Sequence, residues 1–405
     1  MSVARTLAVL LLLAGALPVA AQTVPPRGTD ATVDVAAWNV ERFGSPTGGP
    51  SNDAQQRLNV GAVVRQAAID LWAFEEINDP TDWQLLLNDL AGDGYLGVLG
   101  PSVSSSSDFD LRLGFIYNPA VVSVIQTRSI LTTNASSFGG RAPFEMIANV
   151  TAGGVTRQLR VIAIHGKAGG AQSDFQDRLA GANALKTYTD AYVAQGIAFL
   201  VVGDYNDELQ VSISSGQLSP YRAFVTDADR YVFATRPLDQ ANIPTFCGNS
   251  SQCTSGSTLD HVLVPSTLFG AYVAGSGDRY GELIASIPSY VSTTSDHLPV
   301  LARFDLTMPN AAAGPTVAGA ATLLPAAPMP FREATTLRVR LDRPAQVRLD
   351  VVDVLGRVVA VLADGPLPVG ETPARLDGSA LAPGLYLVRL TTDGQTATQT
   401  VVRMR

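Results

Sequence analysis

Residues 308–330 read MPNAAAGPTVAGAATLLPAAPMP, a run dominated by Ala, Pro and Gly without a single charged side chain. A stretch of that composition marks a linker, and it divides the chain into two parts with different patterns. Before it, short β-rich runs at 33–40, 112–117, 159–164, 198–202 and 259–264 alternate with helical patterns near 55–68, 82–90 and 175–194. Several of these runs are apolar on both faces, as strands of internal sheets covered by helices must be. After it, 336–341, 345–352, 357–362, 372–376, 384–390 and 396–402 read as short strands separated by Asp, Gly and Pro turns, with no helical period. The chain is therefore expected to hold an α/β unit at 29–307, a linker at 308–330 and a small β-sandwich at 331–405.

Hydrophobic residues make up 46% of the chain and charged residues 16%, which supports buried cores and excludes wholesale disorder. The one long apolar run, 7–17, follows Arg5 and precedes Pro18-Val19-Ala20-Ala21-Gln22, the charged, apolar and small-residue parts of a secretory signal peptide at 1–21. Crossing a bilayer takes about 20 apolar residues, so this run is too short to span, and no stable membrane insertion is expected. Cys247 and Cys253 are the only cysteines. An exported compartment permits them to pair, and two thiolates without a second Cys or His pair nearby fall short of a structural zinc site.

Residues 29–307 carry 16 Lys and Arg against 28 Asp and Glu, a net charge of −12, whereas 308–405 carry 10 against 8. Such a field repels nucleic acid or an anionic membrane unless cations intervene, which disfavours a simple electrostatic binding module. It is compatible with clustered carboxylates that hold a divalent cation.

The reactive residue types gather at the ends of the strand-like runs, where a rigid sheet fixes a side chain and a loop gives access. Asn39 follows 33–38, Glu75 and Glu76 end 71–74, His165 follows Ile164, Asp204 and Asn206 follow 199–203, Asp260 and His261 follow Leu259, and Asp296-His297 precede Leu298-Pro299-Val300. Taken singly each has a plain explanation, since Asp and Asn favour turns and cap helices.

In order, however, WNVERFG (38–44), FEEI (74–77), IHGKA (164–168), VVGDYND (201–207), LDHVLV (259–264) and SDHLPV (295–300) form a series. The series resembles the endonuclease/exonuclease/phosphatase superfamily over residues 29–306. The resemblance implies a four-layered α/β sandwich of two mixed β-sheets flanked by helices, with the site at one edge. It further implies a metal-dependent phosphodiesterase using Mg2+, with Ca2+ or Mn2+ as alternatives. Hard oxygen ligands suit those ions, and cleaving a phosphodiester needs charge neutralisation, an activated water and help for the leaving alkoxide.

By that likeness Glu76 is the metal carboxylate, with Glu75 where Gln is usual, Asn39 lies beside the metal and Asp296 supplies a further carboxylate. His297, held by Asp260, is the general base or phosphate clamp. Asp204 orients water or the leaving group, Asn206 donates to a phosphate oxygen and His165 is the general acid. Arg112 and Arg178 are candidates to contact phosphate, and His261 is expected to be a polar neighbour of Asp260. In deoxyribonuclease a glutamate supports the histidine matched by His165, but here that place holds Leu111, with Asp110 one residue earlier, so the support of His165 stays open. The inositol phosphatase branch is disfavoured, since Ser257-Thr258-Leu259-Asp260-His261 replaces its Cys-Asp-Arg run.

The last part, with DVLGR (353–357), LAPGLYLVRL (381–390) and a basic end, resembles the C-terminal sorting domain of the type IX secretion system. The joint expectation is an exported, monomeric, divalent-metal-dependent nuclease, with nucleic acid as substrate and the type IX machinery as partner. A phosphatase or a phospholipase C or sphingomyelinase-type hydrolase on the same fold is the second reading, and a surface-binding protein without activity is the third.

Overall fold

The computed structural model describes residues 23–104, 110–308, 316–318, 321–353, 357–392 and 395–404. The signal peptide expected at 1–21 lies outside them. The first part contains strands β1 (Val33–Phe43), β2 (Leu71–Ile77), β3 (Leu96–Leu99), β4 (Arg112–Tyr117), β5 (Val122–Ser129), β6 (Phe144–Ala152), β7 (Val155–His165), β8 (Phe199–Asp204), β9 (Tyr231–Phe233), β10 (Asp260–Pro265), β11 (Asp278–Arg279) and β12 (Val300–Phe304). The long helices are α1 (Asp53–Ala67), α2 (Pro80–Ala91) and α3 (Gln172–Ala194).

The strands form two mixed six-stranded sheets, in the orders β11-β12-β1-β2-β4-β3 and β5-β6-β7-β8-β10-β9. Alternating side chains decide how the layers stack, because successive residues of a strand face opposite sides of the sheet. Val33, Val35 and Ala37 of β1 and Leu71 and Ala73 of β2 meet Leu159, Val161 and Ala163 of β7 and Leu200 and Val202 of β8 in one core between the sheets. The opposite faces are covered separately. Ala36, Trp38, Trp72 and Phe74 pack against Val60, Val63 and Val64 of α1 and Leu86 and Leu90 of α2, while Ile162, Ile164 and Val201 pack against Ala182 and Leu185 of α3. This is the four-layered sandwich expected, with both faces of the central strands buried.

Local chemistry starts the first two helices. The Asn52 side chain accepts from Gln55 N at the head of α1. Asp79 accepts from Thr81 N at the head of α2, where Pro80 supplies the fixed φ suited to a first turn.

The second part forms β13 (Thr316–Ala318), β14 (Ala321–Ala327), β15 (Ala334–Leu341), β16 (Ala345–Val352), β17 (Val358–Leu367), β18 (Gly370–Asp377), β19 (Gly384–Thr392) and β20 (Gln395–Arg403). They make two four-stranded sheets, β13-β14-β15-β18 and β17-β16-β19-β20, so this part is all-β. The linker expected through Pro330 is shorter than its composition implied. β14 pairs antiparallel with β15 and buries Ala321, Leu323 and Ala326. An uncharged Ala/Leu strand has the same composition as a linker, and only its pairing tells them apart. The register shifts between Leu324 and Ala327, which accommodates Pro325.

Candidate active site

Strand register brings the separated motifs to one sheet edge. In β7 and β8, which run parallel, His165 is the partner of Asp204; β10 runs antiparallel to β8 and sets Asp260 opposite the same Asp204. In the other sheet Asn39 of β1 pairs with Glu75 of parallel β2. Antiparallel β12 pairs Val300 with Ala37, so the preceding residues 295–297 reach the end of β1. There the Ser295 hydroxyl donates to Asn39 O at 2.7 Å and accepts from His297 N at 3.0 Å, and Tyr290 donates to His297 O at 2.6 Å.

His297 is buried with Nδ1 2.8 Å from Asp260 Oδ2. Burial alone lowers an imidazole pKa, but the charges of Asp260, Asp204 and Asp296 and the Asp260 hydrogen bond outweigh it and hold His297 well above the usual range. Asp260 is fixed in turn by its own N–H, which donates to Thr245 Oγ1 at 3.0 Å.

Asp204 sits among nitrogen groups. Its carboxylate accepts from Asn206 N at 2.7 Å, Asn206 Nδ2 at 3.0 Å and Asn39 Nδ2 at 3.0 Å, and lies 3.6 Å from His165 Nε2 and 3.8 Å from His297 Nε2. Burial still dominates, and with the Asp260 charge adding to it Asp204 is pushed up to about 7 against the lowering effects of His297, Asn206 and Asn39. The Asn206 amide also donates to Gly166 O at 3.2 Å. It therefore anchors Asp204 and the loop after β7 rather than facing open space.

His165 is buried at the end of β7. Burial, then the Arg141 and His297 charges, hold it well below the usual imidazole range. Its Nδ1 has no hydrogen-bond partner among the described residues, and Asp110 is engaged elsewhere, accepting from Val103 N and from Arg112. His165 Nε2 lies 3.6 Å from Glu76 Oε1 and 3.6 Å from Asp204 Oδ2.

Carboxylates crowd the rim beside this core. Glu76 accepts from Arg42 N at 3.0 Å and from Asn39 Nδ2 at 3.3 Å, and Glu41 accepts from Asp296 N at 2.9 Å. Burial and the Asp296 and Glu76 charges push Glu41 up to about 8, and burial likewise raises Asp296. Acidic groups that raise one another in this way fit a hard divalent cation, which relieves their repulsion. The nearest triple of donor atoms belongs to Asp204, Asp260 and His297, all within 4.8 Å of one another. Asn39 turns its amide nitrogen toward Glu76 and Asp204 while its oxygen accepts from Glu41 N at 2.9 Å, so it is a bridge between carboxylates and not an oxygen ligand here.

Glu75 is fully buried, and neither carboxyl oxygen has a hydrogen-bond partner among the described residues. Burial, then the Asp260 and Asp204 charges, raises it well above the usual carboxylate range. A neutral carboxylic acid has nearly the shape and polarity of the Gln usual here. Gly203 makes room for it: at φ 133° a side chain is strained, and a Cβ would stand 2.2 Å from Ile164 O and 2.8 Å from Glu75 Oε1.

The two arginines expected to contact phosphate each have a carboxylate partner within the protein. Arg178 is buried, with Nε donating to Asp207 at 2.7 Å, Nη1 to the carbonyls of Lys167 and Gly169, and Nη2 to Ser214. Four of its five N–H groups brace loops, and the side chain is closed off from solvent. Arg112 donates through Nε and Nη2 to Asp110 at 2.9 and 2.6 Å. His261 behaves as a core histidine, lying 3.0 Å from Thr235 Oγ1 and 3.1 Å from Asp207 O between Tyr205 and Phe233.

Arg141, which the sequence pattern did not single out, is the cation at the centre. It is buried, donates to Gly166 O at 2.9 Å and feels the charges of Glu76 and Asp204. It precedes β6 outside any recognised motif, and its placement in a turn, Gly139-Gly140-Arg141, is the one local signal it carries. Phe246 was missed as well: its half-buried ring lies 4.9 Å from that of His297. The Cys247–Cys253 disulfide forms as expected and closes this loop, and Cys247 N donates to Asp296 O at 2.7 Å.

Comparison with known proteins agrees with this geometry. Residues 36–297 match the Endonuclease/Exonuclease/phosphatase family and 327–404 match the Secretion system C-terminal sorting domain. No curated protein matches the chain in sequence. Among solved structures, the chain is similar to an endonuclease/exonuclease/phosphatase from Beutenbergia cavernae DSM 12333, at 17% identity and a TM-score of 0.50, over 92% of this chain and 100% of that one. It is also similar to an endonuclease/exonuclease/phosphatase from Bacteroides vulgatus, at 16% identity and TM-score 0.48 over 68% and 99% of the two chains. A third similar structure is the human Nocturnin catalytic domain with bound sulfate, at 14% identity and TM-score 0.43 over 69% and 98%. The tail match places the protein at the cell surface or outside the cell through type IX secretion, and no helix among the described residues is long and apolar enough to cross a membrane. With the family match covering most of the chain, the two-sheet sandwich beneath it and the motif residues gathered at one edge, this chain belongs to the endonuclease/exonuclease/phosphatase family of hydrolases and carries a type IX secretion sorting domain.

Proposed function

We propose that the protein is an exported, divalent-cation-dependent phosphodiesterase that cleaves nucleic acid. The observation that carries this reading is the buried Asp260–His297 pair standing 3.8 Å from Asp204, a fixed cation beside a carboxyl group pushed up to about 7. A base works best with a pKa near the operating pH, so Asp204 is suited to take a proton from an attacking water. His297, oriented by Asp260, faces a phosphoryl oxygen as a preorganised donor, and Arg141 adds a second positive charge behind Gly166. Asn39 and Asn206 hold the Asp204 carboxylate in place. A divalent ion held by Glu76 and Asp296 would supply neutralisation of the phosphoryl and departing alkoxide oxygens.

A lipid diester has one feature in its favour: Val211 and Leu218, bridged to each other, are 55% and 54% exposed on the loop that Arg178 braces through Ser214.

The test is hydrolysis by the mature chain with magnesium, then with EDTA, of duplex DNA, single-stranded DNA, RNA, sphingomyelin vesicles and inositol phosphates, with His297→Ala as control. Cation-dependent cleavage of polynucleotide that falls at least ~10²-fold in the variant is the expected result. Turnover of sphingomyelin or inositol phosphates alone would replace the nuclease reading, and no turnover of any substrate would remove the enzymatic one.

A further inference from the structure

Asp260 and His297 meet across the two sheets. Asp260 opens β10 of one sheet, and His297 lies just ahead of β12 of the other. The two strands are neighbours in neither sheet, so no ladder between them fixes the 2.8 Å contact of the side chains. The segment 244–258 runs between them as a strap. Phe246 forms one antiparallel bridge with Ser257, which leads into β10, and another with His297. Thr245 is fully buried and bonded to both sides: its Oγ1 accepts from Leu259 N at 2.9 Å and Asp260 N at 3.0 Å, and its carbonyl accepts from Leu298 N at 2.8 Å. Cys247 N donates to Asp296 O at 2.7 Å, and the bond from Cys247 to Cys253 closes the strap, with Arg279 donating to Pro244 O and Cys253 O at its base.

From this we propose that Thr245 is a positioning residue that holds Asp260 and His297 together across the sheets, and that the Cys247–Cys253 disulfide locks it in place, so that the hydrolase becomes competent only once the two cysteines are oxidised. The inference rests on the phosphodiesterase reading above. The Thr245 hydroxyl, by accepting from two successive N–H groups, sets where β10 begins, while the carbonyl of the same residue sets the turn that carries His297. A group misplaced by about 1 Å costs about 10²-fold in rate, so a strap free to shift separates a folded chain from an active one. Closing the lock oxidises two thiols to one disulfide. Their two electrons and two protons pass to an exchanging disulfide, which leaves as two thiols. Disulfide oxidants belong to compartments outside the cytoplasm, and the sorting domain marks this chain for export there. Both sulfurs are buried once the bond has formed, which shields it from further exchange.

The experiment compares the full mature chain in its thiol form, made in a reducing compartment, with the same protein after oxidised glutathione, and with Thr245→Val and Thr245→Ser in the disulfide form. Two readouts are taken: kcat and KM on the substrates above with magnesium, and nitrogen NMR of the histidine rings without metal. The chain has three histidines, so the His297 signals are identified by their loss in His297→Ala. Thr245→Val keeps the shape and removes the acceptor; kcat should fall about 10²-fold with KM within about twofold, and Thr245→Ser should stay within about threefold of the parent. The thiol form should behave as Thr245→Val does, and oxidised glutathione should restore it. In both, the His297 ring signals should move while those of His261 stay in place. A kcat within about threefold of the parent for Thr245→Val, a rise in KM at constant kcat, or unmoved His297 signals overturns the positioning role. A thiol form as active as the oxidised one overturns the lock. If Thr245→Val fails to fold, the thiol form supplies both readouts, and loss of the fold in both makes the strap a folding element and overturns the proposal. A parent chain inactive on every substrate removes the phosphodiesterase reading, and the ring signals then still decide whether the strap holds His297.

Discussion

Asp260 Oδ2 lies 2.8 Å from His297 Nδ1 while Asp260 Oδ1 has no hydrogen-bond partner among the described residues, so the carboxylate is committed to the imidazole through one oxygen. Asp260→Asn keeps the shape but removes the charge that most favours the imidazolium. His297 is protonated below its raised pKa, so function that needs the cation is lost as pH climbs through that value. The variant should lose about 10²–10⁴ in kcat/KM and move the alkaline limb of the pH–rate profile to lower pH. An unshifted limb would separate the pair from the reaction.

Glu41, at about 8, accepts from Asp296 N and shares a rim with Glu76 and Asp296, so a cation held there must displace the proton it keeps near neutrality. Magnesium affinity should then tighten with rising pH between about 6 and 8, by about tenfold per unit for each proton released. Titration calorimetry in two buffers of different ionisation enthalpy reads that release directly. Affinity that does not change with pH would place the cation away from these carboxylates.

Arg178→Met breaks the buried pair with Asp207 and leaves a buried carboxylate without its cation. The expected cost is about 3–5 kcal/mol in urea unfolding, with KM of the folded fraction unchanged. A raised KM at full stability would restore the phosphate contact expected from the motif.

Asp70, away from the site, accepts from Asp34 N at 2.9 Å, and burial with the Asp34 and Asp30 charges pushes it up to about 7 from 3.8. The fold therefore favours the protonated acid. That contribution is complete below about 3.8 and is lost as pH rises through about 7. Asp70→Asn should leave stability at pH 4 nearly unchanged and raise it at pH 8 by on the order of 1–2 kcal/mol. Equal effects at both pH values would exclude the titration of Asp70 as the cause.

Much of the architecture was legible in the chain itself. Apolar runs at 33–40 and 159–164 became β1 and β7, and the pattern near 175–194 became α3, because alternation and helical period are local properties that burial reinforces. The motif residues were legible too, since a strand end needs particular residue types wherever the strand finally lies.

What the sequence could not determine was which charges meet. Arg178 looked available and is buried on Asp207, whereas Arg141, in no motif, lies beside Glu76 and Asp204. Two histidines follow an aspartate, at 261 and 297. The period of β10 turns His261 to the far side of the sheet from Asp260, and the backbone from Ser295 to Leu298 bends His297 back onto Asp260. Strand identity depends on neighbouring residues, but the partner of a charge depends on register and layer packing between segments far apart in the chain. Only the tertiary structure decides it.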